Sequence, residues 1–258
     1  MSDAVLIEKA PPVGRIVINR LETRNALDFD VIRGIRAGID AHEADPEVRV
    51  IVLTGAGDKS FCAGGNLRVD PSAGFIAMHE GRGEYAELLL RFGRCGKPIV
   101  ARVNGHALGG GLGLACASDI VVATADATFG TPEIKLGLFP MMIMALLVRH
   151  VGRKKLMEIM LTGGRFTAED AVRHGVANYA VPAAELDAKT GEIVAALASK
   201  SAAILRLGKK AFYDMDDMST EDALKYLQSM LTVNAMAEDA MEGVMAFMEK
   251  REPAWKDR

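Results

Sequence analysis

The apolar positions follow two different rhythms, and the change between them divides the chain. As far as Val181, short runs rich in Val and Ile recur between turn-forming residues: Val5–Ala10, Val13–Arg20, Val48–Thr54, Pro98–Val103, Ile120–Ala123 and Val176–Val181. Dense β-branched runs of this length read as strands, and the most apolar, VRVIVLT at 48–54, as a buried one. Helical spacing lies between them. Val31, Ile32, Ile35 and Ile39 share one face behind an Asp28 N-cap and ahead of Pro46,. Tyr85–Phe92, Met141–His150 and Lys154–Leu161 also read as helices. Thr167 with Asp170 three residues on resembles a capping box,.

From Ala183 onward only helical spacing remains, over Ala184–Ala198, Ala202–Met215, Thr220–Ala235 and Asp239–Lys250. Alternating elements followed by helices alone predict an α/β core with a helical appendage. Residues 68–82 show no periodicity and are punctuated by Pro71, Gly74 and Gly81. They read as a mobile surface segment.

Composition narrows the function. The chain has 258 residues, half hydrophobic and a quarter charged, with a net charge of −3. That gives ample core and no basic field for nucleic acid or an anionic membrane. With only 5% aromatic residues, base-stacking platforms are not expected either,. Cys62, Cys95 and Cys116 lack metal-ligand spacing and cannot all pair, which fits a reducing compartment,. MSDAVLIEKAPP has no basic and apolar leader pattern, and no apolar run reaches the roughly 18 residues of a membrane span,. The expectation is a soluble, cytoplasmic protein.

The chemistry concentrates in VNGHALGGGLGL at Val103–Leu114, where an apolar strand runs through three glycines into a small-residue helix. Glycine permits close backbone approach, and a helix start leaves N–H donors unpaired, so the stretch suits an oxyanion. Its adjacent glycines do not fit the dinucleotide pattern, and GAGDKS at 55–60 lacks the spacer of a phosphate loop,. Phe61–Leu67 is a second glycine-containing loop after a strand. Cys62 within it reads as a structural thiol, since no base accompanies it. His106 is placed to line a pocket. Glu133, in the Thr131-Pro132-Glu133 turn, reads either as a helix-start carboxylate or as an acid–base group,. Asp119 and Asp126 read as turn ties. No histidine, cysteine or acid cluster suggests a metal.

Five segments carry a resemblance to the crotonase (enoyl-CoA hydratase/isomerase) superfamily: INRLETRNAL at Ile18–Leu27, SFCAGGNL at Ser60–Leu67, VNGHALGGGLGLACASDIVVA at Val103–Ala123, ATFGTPEIKLGLFP at Ala127–Pro140 and LTGGRFTAEDAVRHGVANYAVP at Leu161–Pro182. The resemblance implies a spiral of ββα turns over residues 1–195. Residues 196–258 become a C-terminal helical region that packs on the core and on neighbouring subunits of a homotrimer or a dimer of trimers. It implies an acyl-CoA thioester as substrate, with no cofactor beyond the coenzyme A that the substrate carries. The Gly65 and Gly110 N–H groups become the oxyanion hole, and Glu133 the catalytic acid–base. Substrate and coenzyme A contacts fall to Arg24, Ala63, Asn66, Leu67, His106 and Lys250.

One position departs from the pattern. Hydratases of this superfamily carry two glutamates, and the first of these positions is Gly113 here. The leading expectation is an enoyl-CoA hydratase or close relative. Δ3,Δ2-enoyl-CoA isomerisation on one glutamate and a non-catalytic acyl-CoA-binding protein are the alternatives. A further possibility is that His106, or a polar group within residues 68–85, replaces the missing acid.

Overall fold

β1 (Val5–Ala10) and β2 (Val13–Ile18) form an antiparallel hairpin, and α1 (Phe29–Ala44) follows, capped by Asp28, whose carboxylate accepts the Val31 N–H at 2.9 Å. The computed structural model describes residues 4–65 and 74–258. From here each turn of the chain lays one strand into a large sheet and the next into a small one. β3 (Val50–Gly55) is followed by β4 (Ser60–Cys62) and α2 (Phe75–Arg94). β5 (Ile99–Val103) is followed by β6 (His106–Leu108) and α3 (Gly110–Ala117). β7 (Ile120–Thr124) is followed by β8 (Thr128–Gly130), a 3-10 turn at Pro132–Leu136, α4 (Met141–His150) and α5 (Arg153–Thr162).

β9 (Arg165–Thr167), α6 (Ala168–Arg173) and β10 (Tyr179–Val181) close the spiral. Thr167 caps α6 by accepting the Asp170 N–H at 3.1 Å. The large sheet has the order β1-β2-β3-β5-β7-β10, parallel beyond the first hairpin, and the small sheet β4-β6-β8-β9.

The central strands of the large sheet, β3, β5 and β7, are buried on both faces, which explains their unbroken apolar runs,. Along β3, Ile51 and Leu53 join one cluster with Val31, Ile35 and Ile39 of α1. Val50 and Val52 join another with Val100, Val122 and two residues, Leu186 and Val194, of α7 (Leu186–Ala198). Burying one such aliphatic side chain is worth about 1.5–3 kcal/mol. A division at residue 195 therefore passes through α7, a helix seated on the large sheet.

The remaining helices are α8 (Ala202–Met215), α9 (Thr220–Ala235) and α10 (Glu238–Glu249). α8 packs against α2, and charged ties add to that contact. Asp119 accepts hydrogen bonds from the Ile99 N–H at 2.7 Å, Lys209 Nζ at 2.6 Å and the Tyr213 hydroxyl at 2.9 Å. Arg49 pairs with Asp257 at 2.7 Å. Asp119 is thus a tie, as its sequence context suggested, but two of its three partners come from 90 and 94 residues away.

Two expectations change. Part of the stretch expected to be a loop is helix, because α2 begins at Phe75. Gly81 does not break it. A Cβ there would meet the Phe29 ring, so its glycine lets α2 approach α1 closely. The small sheet was not expected, since strands of three residues are too short to show alternation,. Among the described residues, no helix is long and apolar enough to cross a membrane.

Candidate active site

β4, β6 and β8 are adjacent parallel strands, so the segments leaving their C-terminal ends are neighbours. These segments are Ala63–Gly65, Gly109–Gly111 and Thr131–Glu133, the three that sequence reading had singled out. Ladder register fixes their juxtaposition. Cys62 pairs with Ala107, Leu108 pairs with Gly130, and the Gly109 N–H donates to the Gly130 carbonyl at 2.9 Å.

Two buried asparagines hold the crossing between the sheets. Asn25 Nδ2 donates to the carbonyls of Ala56 at 3.0 Å and Ser60 at 2.8 Å. Asn104 Oδ1 accepts the Gly55 N–H at 3.1 Å, and its Nδ2 donates to the Gly57 carbonyl at 2.8 Å. Both lie inside motifs quoted above, and only their burial shows this framework role.

Gly64 has φ +97° and lies against the second glycine turn: a Cβ there would stand 2.9 Å from the Leu108 carbonyl oxygen and 3.5 Å from the Gly110 nitrogen. The Gly64 carbonyl accepts the Leu27 N–H at 2.7 Å, and the next residue, Gly65, forms a bridge with Leu27. Around Gly65 the space where a side chain would stand is open. Gly110 opens α3, so its N–H precedes the first intrahelical bond, in which the Gly113 N–H donates to the Gly109 carbonyl at 3.1 Å,. Its own carbonyl accepts the Tyr85 hydroxyl at 2.6 Å, a partner that sequence reading did not single out.

Glu133 stands beside these turns. A Cβ on Gly109, which has φ +50°, would be 2.5 Å from Glu133 Oε1. Its Oε2 is buried with no hydrogen-bond partner among the described residues. Burial pushes the carboxyl pKa above the usual glutamate range, opposed by a bond from the residue's own backbone N–H. A half-buried, under-bonded carboxylate with a raised pKa suits proton transfer near neutral pH. Among the described residues, no group of three or more His, Cys, Asp or Glu could hold a metal ion.

A cleft of about 800 Å³ opens on the far side of the short strands, at the C-terminal edge of the large sheet. Arg24, Lys59, Arg102 and His106 line it, opposed by Glu22, Asp58 and Asp126. The cleft and the glycine turns meet at Arg24, whose carbonyl accepts the Ala63 N–H at 3.1 Å. His106 Nδ1 pairs with the Thr128 hydroxyl at 2.8 Å, and burial, then Arg165 and Arg24, hold its pKa down. His106 begins β6, while Glu133 lies beyond the other end of the small-sheet strands, so His106 belongs to the cleft.

Lys250 ends α10, a helix that packs on α8 and α9, and is not among the cleft residues. Asn66 and Leu67 lie outside the described residues. Cys62 is fully buried and its thiol is pushed up to about 12 by burial, which fits its structural reading,.

The sequence model for enoyl-CoA hydratase/isomerase matches residues 8–258. The chain belongs to the enoyl-CoA hydratase/isomerase family. It is 32% identical over 255 residues to a probable mitochondrial enoyl-CoA hydratase of Dictyostelium discoideum, covering 97% of this chain and 90% of that protein. It is 33% identical over 263 residues to a carnitinyl-CoA dehydratase of Salmonella heidelberg, covering 100% of both. The crystal structure of an enoyl-CoA hydratase from Mycobacterium smegmatis superposes with a TM-score of 0.94 at 31% identity, over 98% of each chain. The spiral of ββα turns followed by a helical C-terminal region is the crotonase fold.

Proposed function

We propose that this protein is an acyl-CoA enzyme that stabilises a thioester enolate and uses Glu133 alone to move a proton, shifting a carbon–carbon double bond between C3 and C2. The Gly65 and Gly110 N–H groups receive the thioester oxygen. Ionised Glu133 takes a proton from C2 of a 3-enoyl thioester, and the electron pair passes through the conjugated system onto that oxygen. The protonated carboxyl then delivers the proton to C4, leaving the 2-enoyl thioester, with no proton gained or lost. Each oxyanion donor is worth about 2.7–4 kcal/mol in such a transition state. No further cofactor enters this scheme.

One observation carries the choice of reaction. Glu133 stands at the turn without a second described carboxylate bearing on it, and position 113 has no side chain. Hydration needs water activated on one side and a proton delivered on the other, and losing one positioned group costs about 10²–10⁴-fold. Hydration or dehydration is the second reading, favoured by the names of the Dictyostelium and Salmonella relatives.

Arg24 and His106, with Lys59, would hold the phosphate-bearing part of coenzyme A in the cleft,. Ala63, Asn66 and Leu67 would contact the thioester end. Leu231, Met236, Val244, Phe247 and Met248 on and beside α9 and α10 leave large apolar surfaces exposed, which supports a homotrimer or dimer of trimers,. Lys250, beside that face, would then reach a neighbour's coenzyme A. Three buried free cysteines support a cytoplasmic setting,.

Purified protein given 3-enoyl-CoA and 2-enoyl-CoA series separates the readings. Double-bond migration abolished in Glu133→Gln is expected. Water addition to 2-enoyl-CoA as the faster reaction would move the assignment to hydratase. Tight acyl-CoA binding without turnover would make the protein a non-catalytic binder, and full turnover in Glu133→Gln would remove the mechanism.

A further inference from the structure

Tyr85 comes from α2, yet its hydroxyl reaches under the first turn of α3. The side chain is buried, with 6% exposure. The hydroxyl donates to the Gly110 carbonyl at 2.6 Å. It also fills the space beside Gly113: a Cβ on that glycine would fall inside the van der Waals envelopes of the Tyr85 hydroxyl and Ile143 Cγ2. A Cβ on Gly110 would stand 3.4 Å from the same hydroxyl. Tyr85 and Gly113 are therefore complementary in volume, the tyrosine occupying what a side chain at 113 would need.

We infer that Tyr85 is a positioning residue for the oxyanion hole and, with Ile143, closes the place from which a second carboxylate would act. A helix start whose glycines carry no side chains has little to fix its rotation. The hydroxyl bond pins the Gly110 carbonyl, and with it the first turn of α3 from which the Gly110 N–H points at the thioester oxygen. Burial, reinforced by Cys62, Cys116 and Glu133, pushes the phenol pKa well above its ordinary value. The group therefore remains a donor, and its role is to hold the backbone.

The inference rests on the proposed oxyanion hole, and it is tested without turnover. A saturated acyl-CoA labelled with ¹³C at the thioester carbonyl is bound to the full-length protein, and its infrared C=O stretch is compared with that in water. Wild type is expected to lower the stretch, because two hydrogen bonds weaken the carbonyl. Tyr85→Phe, which keeps the ring, is expected to lower it distinctly less. With the enoyl substrate this variant should lose about 10- to 100-fold in kcat with KM within about twofold, the size expected of a small misplacement. An equal carbonyl shift in wild type and Tyr85→Phe overturns the role of Tyr85. No shift in wild type overturns the oxyanion hole itself. Tyr85→Phe should retain the wild-type far-ultraviolet circular dichroism and a cooperative thermal transition. If it does not, Tyr85→Trp, which restores a ring donor, must recover part of the carbonyl shift, and failure to do so also overturns the inference.

Discussion

Glu133 and Gly109 touch where side chain meets bare backbone: a Cβ on Gly109 would stand 2.5 Å from Glu133 Oε1. The carboxylate reaches the Gly109–Gly111 turn only because position 109 has no side chain. Gly109→Ala would push Glu133 aside and strain a backbone held at φ +50°. The expected outcome is a kcat loss of about 10²-fold from misplacement. Destabilisation of about 1–3 kcal/mol should accompany it. Steady-state kinetics and urea unfolding check the two parts.

Burial lifts the Glu133 pKa above its ordinary value of 4.5. The folded protein therefore holds this proton more tightly than the unfolded chain, and stability is lost as pH rises from the ordinary value through the raised one. Glu133→Gln should melt at a higher temperature than wild type at neutral pH, with the difference vanishing below about pH 4. In the proposed mechanism the ionised form is the base, so kcat/KM of wild type should fall on the acid side with its inflection above 4.5. A melting difference that persists unchanged at low pH would contradict the burial account.

A glutamate placed at position 113 is not expected to confer hydration. A Cβ at 113 collides with Tyr85 and Ile143. Gly113→Glu should lose about 1–3 kcal/mol to overpacking. It should also add no water to 2-enoyl-CoA beyond the wild-type rate. Thermal unfolding and a hydration assay decide this, and a gain in hydration would show that the position is open.

Asp119 joins β5 to α8, with the Lys209 side chain only 9% exposed. Asp119→Ala leaves that ammonium without its carboxylate, at an expected cost of about 3–5 kcal/mol. Because the defect lies at the docking of the C-terminal helices, denaturant unfolding is expected to show the loss even where acyl-CoA binding persists.

Much of the fold was legible in the chain itself, for identifiable reasons. The large-sheet strands were visible because burial on both faces demands unbroken runs such as VIVLTG,. Met141–His150, Ala202–Met215 and Thr220–Ala235 stand as the spacing predicted them, since each buries one stripe or begins at a capping residue,. The glycine turns and the Pro-Glu turn announced themselves by composition.

The sequence could not show how those turns meet. β4, β6 and β8 have three residues each, too few for a period, and their pairing is specified by contacts far apart in the chain. That small sheet sets Gly65, Gly110 and Glu133 at one edge and separates His106 from Glu133. The sequence determined that position 113 lacks a carboxylate. Only the tertiary structure decided what fills the space, because Tyr85 lies 28 residues away and reaches it by the packing of α2 on α3.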